Sequence, residues 1–179
     1  MGEKIYSAEQ VQQLITKLAQ DILKAHPDLS GAALIGIRTG GIYLAQRLQK
    51  KFEEATGKRL PLGILDINLY RDDFDLGNHP PEVRQSQIDF PVERKTIFLV
   101  DDVLFTGRTV RAAMEAINDY GRPAAIRLAV LIDRDHRELP IQADFVGAKV
   151  ESTQGERIKV AFSETGGEDH VERIERPSA

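Results

Sequence analysis

The chain contains no cysteine, which excludes disulfides and thiolate metal sites. A reducing, cytoplasmic setting is the expectation that follows. Nowhere does an apolar run approach the roughly 18 residues needed to cross a bilayer, so no membrane span is expected. The start of the chain lacks the basic-then-apolar layout of a secretory signal. Positive charge is not in excess either. Lys and Arg number 24 against 28 Asp and Glu, a formal net charge of −4, whereas a protein that binds nucleic acid over its whole surface is basic. Any RNA contact must therefore use a local patch. Two familiar phosphate cradles, Gly-x-x-x-x-Gly-Lys-Ser/Thr and Gly-x-Gly-x-x-Gly, are both missing. What the chain does have is 179 residues, 41% of them hydrophobic, enough for one domain with a sizeable core. A single domain over residues 1–179 is expected.

The apolar pattern alternates between strand and helix. Ser7 with Gln10 three residues later is a capping-box pair. Val11, Leu14, Ile15, Leu18 and Ile22 recur at helical spacing, so a helix over about 7–26 is predicted, stopped by Pro27. Short apolar strands are predicted over 32–37, 62–69, 96–101 and 126–132. Helices are predicted over 42–52 and 109–120, the second ended by Gly121. Residues 71–90 are rich in Asp, Pro and Gln and lack periodicity, which reads as a long surface loop of the kind that serves as a lid. Beyond Asp133 short strand-like pieces remain near 144–146, 158–162 and 171–174, and the tail over 175–179 should fray. Strands alternating with helices imply an α/β fold, a central parallel sheet flanked by helices. Ligands of such sheets bind at the strands' C-terminal ends, and the turns after Ile37, Val100 and Ile132 all start there.

The most informative stretch is Asp101-Asp102-Val103-Leu104-Phe105-Thr106-Gly107-Arg108-Thr109. It follows the apolar run Ile97-Phe98-Leu99-Val100 and precedes a helical segment. Two carboxylates thus stand near the tip of a buried strand, beside a Thr/Gly turn that opens a helix. The unpaired N–H groups of a helix N-terminus and its dipole bind anions, and carboxylates accept hydrogen bonds from vicinal hydroxyls. The pattern suits a sugar phosphate, hydroxyls on the acids and phosphate in the turn. The plainer alternative is an acid pair that complements the helix dipole and a threonine that caps the helix. A dehalogenase-type Asp-x-Asp is not present, because Val103 stands two after Asp101.

Val100 through Thr109 resembles the phosphoribosyl-pyrophosphate (PRPP) signature of type I phosphoribosyltransferases. The wording is similar to that of the PyrR family, pyrimidine-operon attenuators with uracil phosphoribosyltransferase activity. Gly36-Ile37-Arg38-Thr39-Gly40-Gly41, Leu65-Asp66-Ile67-Asn68-Leu69-Tyr70-Arg71-Asp72-Asp73 and Asp133-Arg134-Asp135-His136-Arg137-Glu138-Leu139-Pro140 agree, and the likeness runs from about Ser7 to about Gly167. The resemblance implies a lid loop at about 71–90 and a small C-terminal hood at about 144–175. It implies transfer of the ribose phosphate of PRPP to uracil, giving UMP and pyrophosphate, with Mg²⁺ held mainly through PRPP and water and also by Asp101 and Asp102. Asp101, Asp102, Arg71 and Arg134 would be catalytic. Val103, Leu104, Phe105, Thr106, Gly107, Arg108 and Thr109 would bind PRPP or nucleotide, the 5′-phosphate lying on the backbone amides from about Leu104 to Thr109. The pyrophosphate would lie on Arg38, Thr39 and Gly40, a loop in which a non-proline cis peptide is expected. Gly40 stands where many relatives carry a basic side chain, and Asn68 where they often show Thr. Arg71 and Arg84 would close over the pyrophosphate, Arg134 would sit near base or pyrophosphate, and backbone groups from Val150 to Thr153 would read uracil.

The same resemblance implies a regulator, a homodimer or dimer of dimers that binds a pyrimidine-operon mRNA leader when UMP is bound. Thr16, Lys17, His136 and Arg137 would contribute to the RNA face. Ala25, Gln142 and Ala148 fall where such regulators tend to carry Arg or Lys, which lowers phosphate-neutralising power. Two alternatives remain open at this point: a phosphoribosyltransferase for a purine or another base, and a PRPP- or nucleotide-binding regulator with little activity. His26, His79 and His170 have no paired ligand spacing and are expected in solvent.

Overall fold

The computed structural model describes residues 2–68 and 85–175. In chain order the elements are β1 (Glu3–Tyr6), α1 (Ala8–Ala25), β2 (Ala32–Ile37), α2 (Gly40–Thr56), β3 (Leu62–Leu65) and β4 (Thr96–Leu104). They continue with α3 (Arg108–Asn118), β5 (Ala125–Arg134), β6 (Phe145–Val150), β7 (Glu156–Ala161) and β8 (His170–Glu175). Five strands pair in parallel in the order β3-β2-β4-β5-β6. The remaining three form a small antiparallel sheet, β1-β8-β7. No helix among the described residues is long and apolar enough to cross a membrane.

Alternation along the strands builds two cores. Leu34, Phe98, Val100, Ala129 and Leu131 face α1, α2 and the small sheet. Ala33, Ile35, Ile97, Leu99 and Val130 face α3 and Val92 on the other side. A parallel sheet covered on both faces needs such continuous apolar runs, which is why β2 is buried at every position. Side chains such as Phe52 and Phe98, fully buried here, each contribute about 1.5–3 kcal/mol of transfer free energy. Helix α1 begins as its sequence dictates. Ser7 caps it, with Ser7 N–H donating to Gln10 Oε1 at 2.8 Å and Gln10 N–H to Ser7 Oγ at 3.4 Å. His26, expected in solvent, instead packs edge-on against Phe98, ring centroids 5.3 Å apart.

The small antiparallel sheet, called the hood below, differs in make-up from the C-terminal range expected for one. The strand near 145–150 pairs with β5 and belongs to the central sheet, so the hood proper begins at β7. It also recruits β1 from the opposite end of the chain, four residues too short and too charged to stand out as a strand. Arg47 of α2 fastens the hood to the body. Its guanidinium meets Asp169 through Nη1 at 2.5 Å and Nη2 at 2.8 Å, and Glu164 through Nε at 2.9 Å and Nη2 at 2.6 Å. It also lies over the Phe162 ring, 5.0 Å from the centroid. Asp169 accepts in addition from Gln12 Nε2 at 2.8 Å and Ser163 N–H at 2.7 Å.

Several boundaries moved. β4 runs past the predicted end at 101 to Leu104, so both acids lie inside the strand and not at its tip. β3 stops at Leu65, and α3 ends at Asn118 with Asp119, not Gly121, as its cap. The predicted lid, including Arg71 and Arg84, lies almost wholly outside the described residues. The chain re-enters beside β3, where Ile64 and Gln87 exchange two backbone hydrogen bonds at 2.8 Å.

Candidate active site

Asp101 and Asp102 sit on adjacent residues of the central strand β4, at the end of the sheet where the loops gather. Asp101 is 7% exposed, and Asp102 keeps part of its surface open to a cleft. Each carboxylate accepts the following amide, Asp102 N–H to Asp101 Oδ1 at 2.9 Å and Val103 N–H to Asp102 Oδ1 at 3.0 Å. Burial, and then the neighbouring Asp102 charge, pushes the Asp101 carboxyl well above the usual carboxylate range. Burial also raises Asp102, although the Asp101 hydrogen bond, nearby amides and the Arg157 charge pull the other way. Two desolvated like charges side by side ask for hydroxyl donors or a cation.

The acids divide two cavities. One, of about 300 Å³, is lined by Asp101, Phe105, Thr106, Gly107, Arg108 and Thr109. Gly107 caps α3 in a left-handed conformation (φ 94°) that favours glycine, and with no side chain it offers the first-turn N–H groups no capping acceptor of its own. Thr106 stiffens the turn: its Oγ1 accepts Arg108 N–H at 3.3 Å, and its carbonyl accepts the N–H groups of Glu138 and Leu139 at 3.0 and 3.2 Å. The geometry is a bowl of backbone donors at a helix N-terminus, suited to a phosphate.

The second cavity, about 750 Å³, is the cleft between body and hood, lined by Arg38, Thr39, Gly40, Asp101, Asp102 and Thr109 among others. The Arg38–Thr39 peptide is cis, as the resemblance implied. Gly40 lies against Asp102 so closely that a Cβ there would fall inside the carboxylate. Asp101 and Thr109 border both cavities, so one ligand can span them.

Other expected residues fall differently. Arg134 is 2% exposed. Its guanidinium stacks on Phe105, 3.9 Å from the ring centroid, and donates to Thr153 O at 2.9 Å and Glu156 O at 3.0 Å. It ties the turn before β7 to the phosphate bowl and borders neither cavity. Arg137, expected on an RNA face, donates to Phe105 O and Arg134 O at 2.6 Å, to Ile141 O at 3.0 Å and to Asp133. The His136 ring meets Ser152 O at 2.6 Å. Both side chains are spent on bracing the turn after β5. Lys17 pairs with Asp21 at 2.8 Å and reaches Val146 O at 3.1 Å, near the start of β6, and Thr16 bonds back to Gln12 O. His136 lies at the chain just beyond the other end of β6, roughly 20 Å along the strand. The four RNA candidates thus lie in two groups, Thr16 with Lys17 on α1 and His136 with Arg137 in the turn after β5. Val150 lines a third cavity of about 590 Å³, with Asp133, His136 and Lys149, which shares no lining residue with the cleft.

Sequence reasoning missed the hood wall of the cleft: Tyr43 of α2 below, and Arg157, Lys159 and His170 above. The signal was present in Arg157-Ile158-Lys159-Val160, a period-two alternation with cations on one face and core residues on the other.

Comparisons with known proteins agree with this geometry. The family profile described as "Phosphoribosyl transferase domain" matches residues 1–164. The chain is 48% identical to "Bifunctional protein PyrR" of Thermus thermophilus, over 98% of this chain and 97% of that one. It is 48% identical to the protein of the same name from Chloroflexus aurantiacus, over 94% and 93%. Among solved structures, a hypoxanthine-guanine-xanthine phosphoribosyltransferase superposes with a TM-score of 0.66 at 16% identity, covering 95% of this chain and 92% of that one, which speaks for the fold alone. An acid pair beside an uncapped helix N-terminus, set in a chain that follows those relatives almost end to end, places this protein in the PyrR family of phosphoribosyltransferases.

Proposed function

We propose that the chain is a uracil phosphoribosyltransferase that makes UMP and pyrophosphate from uracil and PRPP, and that it also regulates pyrimidine-operon transcription by binding leader RNA when UMP is bound. The observation that carries the enzymatic reading is the adjacent pair Asp101–Asp102 in the wide cleft, with Asp101 also bordering the phosphate bowl. In this reading the ribose hydroxyls lie on the two carboxylates, the 5′-phosphate fills the bowl over 104–109, and the pyrophosphate points into the cleft toward Arg38, Thr39 and Gly40.

The step itself needs no covalent nucleophile. The bond from C1 to pyrophosphate loosens toward an oxocarbenium-like ribose, a uracil nitrogen attacks from the opposite face and gives up its proton to water or to the leaving group, and the electron pair of the broken C1–oxygen bond leaves with pyrophosphate. The chain's part is to orient the ribose and to offer fixed donors where charge develops. A magnesium ion fits the donor set: two adjacent carboxylates in the cleft, with oxygens of the ligand and water, match the few-carboxylate habit of Mg²⁺. Asp101 and Asp102 would hold it, and when bound it neutralises negative charge on the leaving group.

Gly40 supplies a direct check. Gly40→Ala must displace the Asp102 carboxylate or the 38–41 loop, and shifts of about 1 Å in an oriented site cost roughly 10²-fold. Turnover is expected to drop by about that factor while circular dichroism stays unchanged. A fully active Gly40→Ala enzyme would separate this loop from the chemistry.

The function is tested by UMP formation from PRPP and Mg²⁺ across uracil, hypoxanthine, guanine and orotate. Uracil is the expected substrate, and turnover of a purine with none of uracil would overturn the base assignment. The regulatory half is tested by a gel shift with a pyrimidine-operon leader RNA, in which UMP is expected to tighten binding. Arg137 and His136 are committed within the chain, so RNA contact is expected to rest on other cations brought together by a second copy. Equal RNA affinity with and without UMP would contradict coupling between the two sites.

A further inference from the structure

The cleft is uneven in charge. Its floor carries Asp101 and Asp102. The 38–41 loop brings little positive charge against Asp102, because the carboxylate fills the place where a side chain at position 40 would start. Arg38 turns toward Asp66, Nε to Oδ2 3.9 Å. The facing wall is β7. Its residues alternate, with Ile158 and Val160 packed into the core and Arg157 and Lys159 on the exposed face that lines the cleft. Lys159 is paired with Glu172 at 3.3 Å. Arg157 has no salt bridge among the described residues, and its charge favours the ionised form of Asp102.

We propose that Arg157 is a substrate-contact residue that takes the pyrophosphate group of PRPP from the hood side of the cleft. The proposal rests on the reading that this cleft binds PRPP. A ribose with its hydroxyls on Asp101 and Asp102 and its 5′-phosphate at the start of α3 carries its second anionic group on C1, at the other end of the sugar. That group has only the rest of the cleft to enter, between the 38–41 loop and β7. A guanidinium presents a fork of donors that matches phosphate oxygens two at a time. Held on strand β7, Arg157 lines the same cleft as the acid pair. It gains pyrophosphate as a partner when the substrate arrives, and it bears more of the charge as the C1–oxygen bond breaks.

The discriminating fact is that PRPP and pyrophosphate carry this group and UMP does not. Binding of Mg²⁺-pyrophosphate and of UMP is measured by calorimetry on the full-length protein, wild type and Arg157→Gln, together with KM for PRPP. Loss of one charge-assisted contact is expected to raise KM for PRPP and Kd for pyrophosphate at least about tenfold, and to leave Kd for UMP within about twofold. Arg157→Lys, a point charge without the fork, should recover part of the loss. Unchanged PRPP and pyrophosphate binding in Arg157→Gln would overturn the assignment. So would an equal loss for UMP, which would mark Arg157 as a support of the hood. If wild type binds none of PRPP, pyrophosphate and UMP, the PRPP reading itself falls, and that result is distinct from the other two.

Discussion

Asp102→Asn is expected to lower turnover of uracil and PRPP by roughly 10²–10³, the usual consequence of removing one preorganised electrostatic contact, with the fold retained. The residue accepts the Val103 N–H, so an amide side chain keeps that contact through its own oxygen while losing the charge that receives ribose hydroxyls or magnesium. Thr109→Ala is expected to act in the same direction, because Thr109 borders both cavities at the first turn of α3. Asp101→Asn carries a second signature. Its carboxyl is raised by burial and by Asp102, so its ionisation works against the native state. The stability it contributes is complete below the unfolded carboxyl value of about 4 and is lost as pH rises through the raised folded value. Asp101→Asn should therefore kill activity while making the ligand-free protein more resistant to urea at neutral pH than wild type. The gap should shrink toward pH 4. Near-normal turnover by Asp102→Asn and Thr109→Ala would refute the site.

The second large effect concerns the hood. Arg47→Ala leaves Asp169, 6% exposed, as a buried carboxylate stripped of its counter-ion. Breaking a buried pair from one side costs about 3–5 kcal/mol, which for a chain of this size lowers Tm on the order of 10 °C. The Arg47 hydrogen bond holds the Asp169 carboxyl well below the usual carboxylate range, against the opposing effect of burial. A depressed carboxyl contributes stability that is present above its unfolded value, about pH 4, and is lost as pH falls through the folded value. Wild type should therefore lose stability on acidification below about pH 4 more steeply than Arg47→Ala. The double variant Arg47→Ala/Asp169→Ala should recover part of the loss, because no lone charge is then buried. A Tm within about 2 °C of wild type for Arg47→Ala would mean that the hood is held by its apolar contacts alone.

What the sequence reveals and what it hides follow from range. Helix α1, with its capping box and stripe of Val11, Ile15, Leu18 and Ile22, is a local event and is legible residue by residue. So are β2, which spans the predicted 32–37, and the acid pair with its Thr-Gly turn. Contacts between distant segments are not legible. Gln12 and Asp169 lie 157 residues apart, and nothing local in Glu3–Tyr6 says that it completes a sheet with the last strand. The assignment of 145–150 to the hood failed for the same reason: a short strand does not say which edge it joins. Arg134 and Arg137 show a subtler limit. An arginine after a strand reads equally as a ligand contact or as a brace, and only the fold reveals the carbonyls of Phe105, Thr153 and Glu156 that these two reach across the chain. The family resemblance implied a cis peptide in the 38–41 loop, which no propensity argument reaches, and the structure has it at Arg38–Thr39.

The most direct test of the central claim is a crystal structure of the protein with UMP. The account predicts the ribose O2′ and O3′ within hydrogen-bond distance of the Asp101 and Asp102 carboxylates and the phosphate on the backbone amides between Leu104 and Thr109. Nucleotide density in the cavity between Asp133 and Val150, with the acids and the amide bowl holding only water, would contradict it.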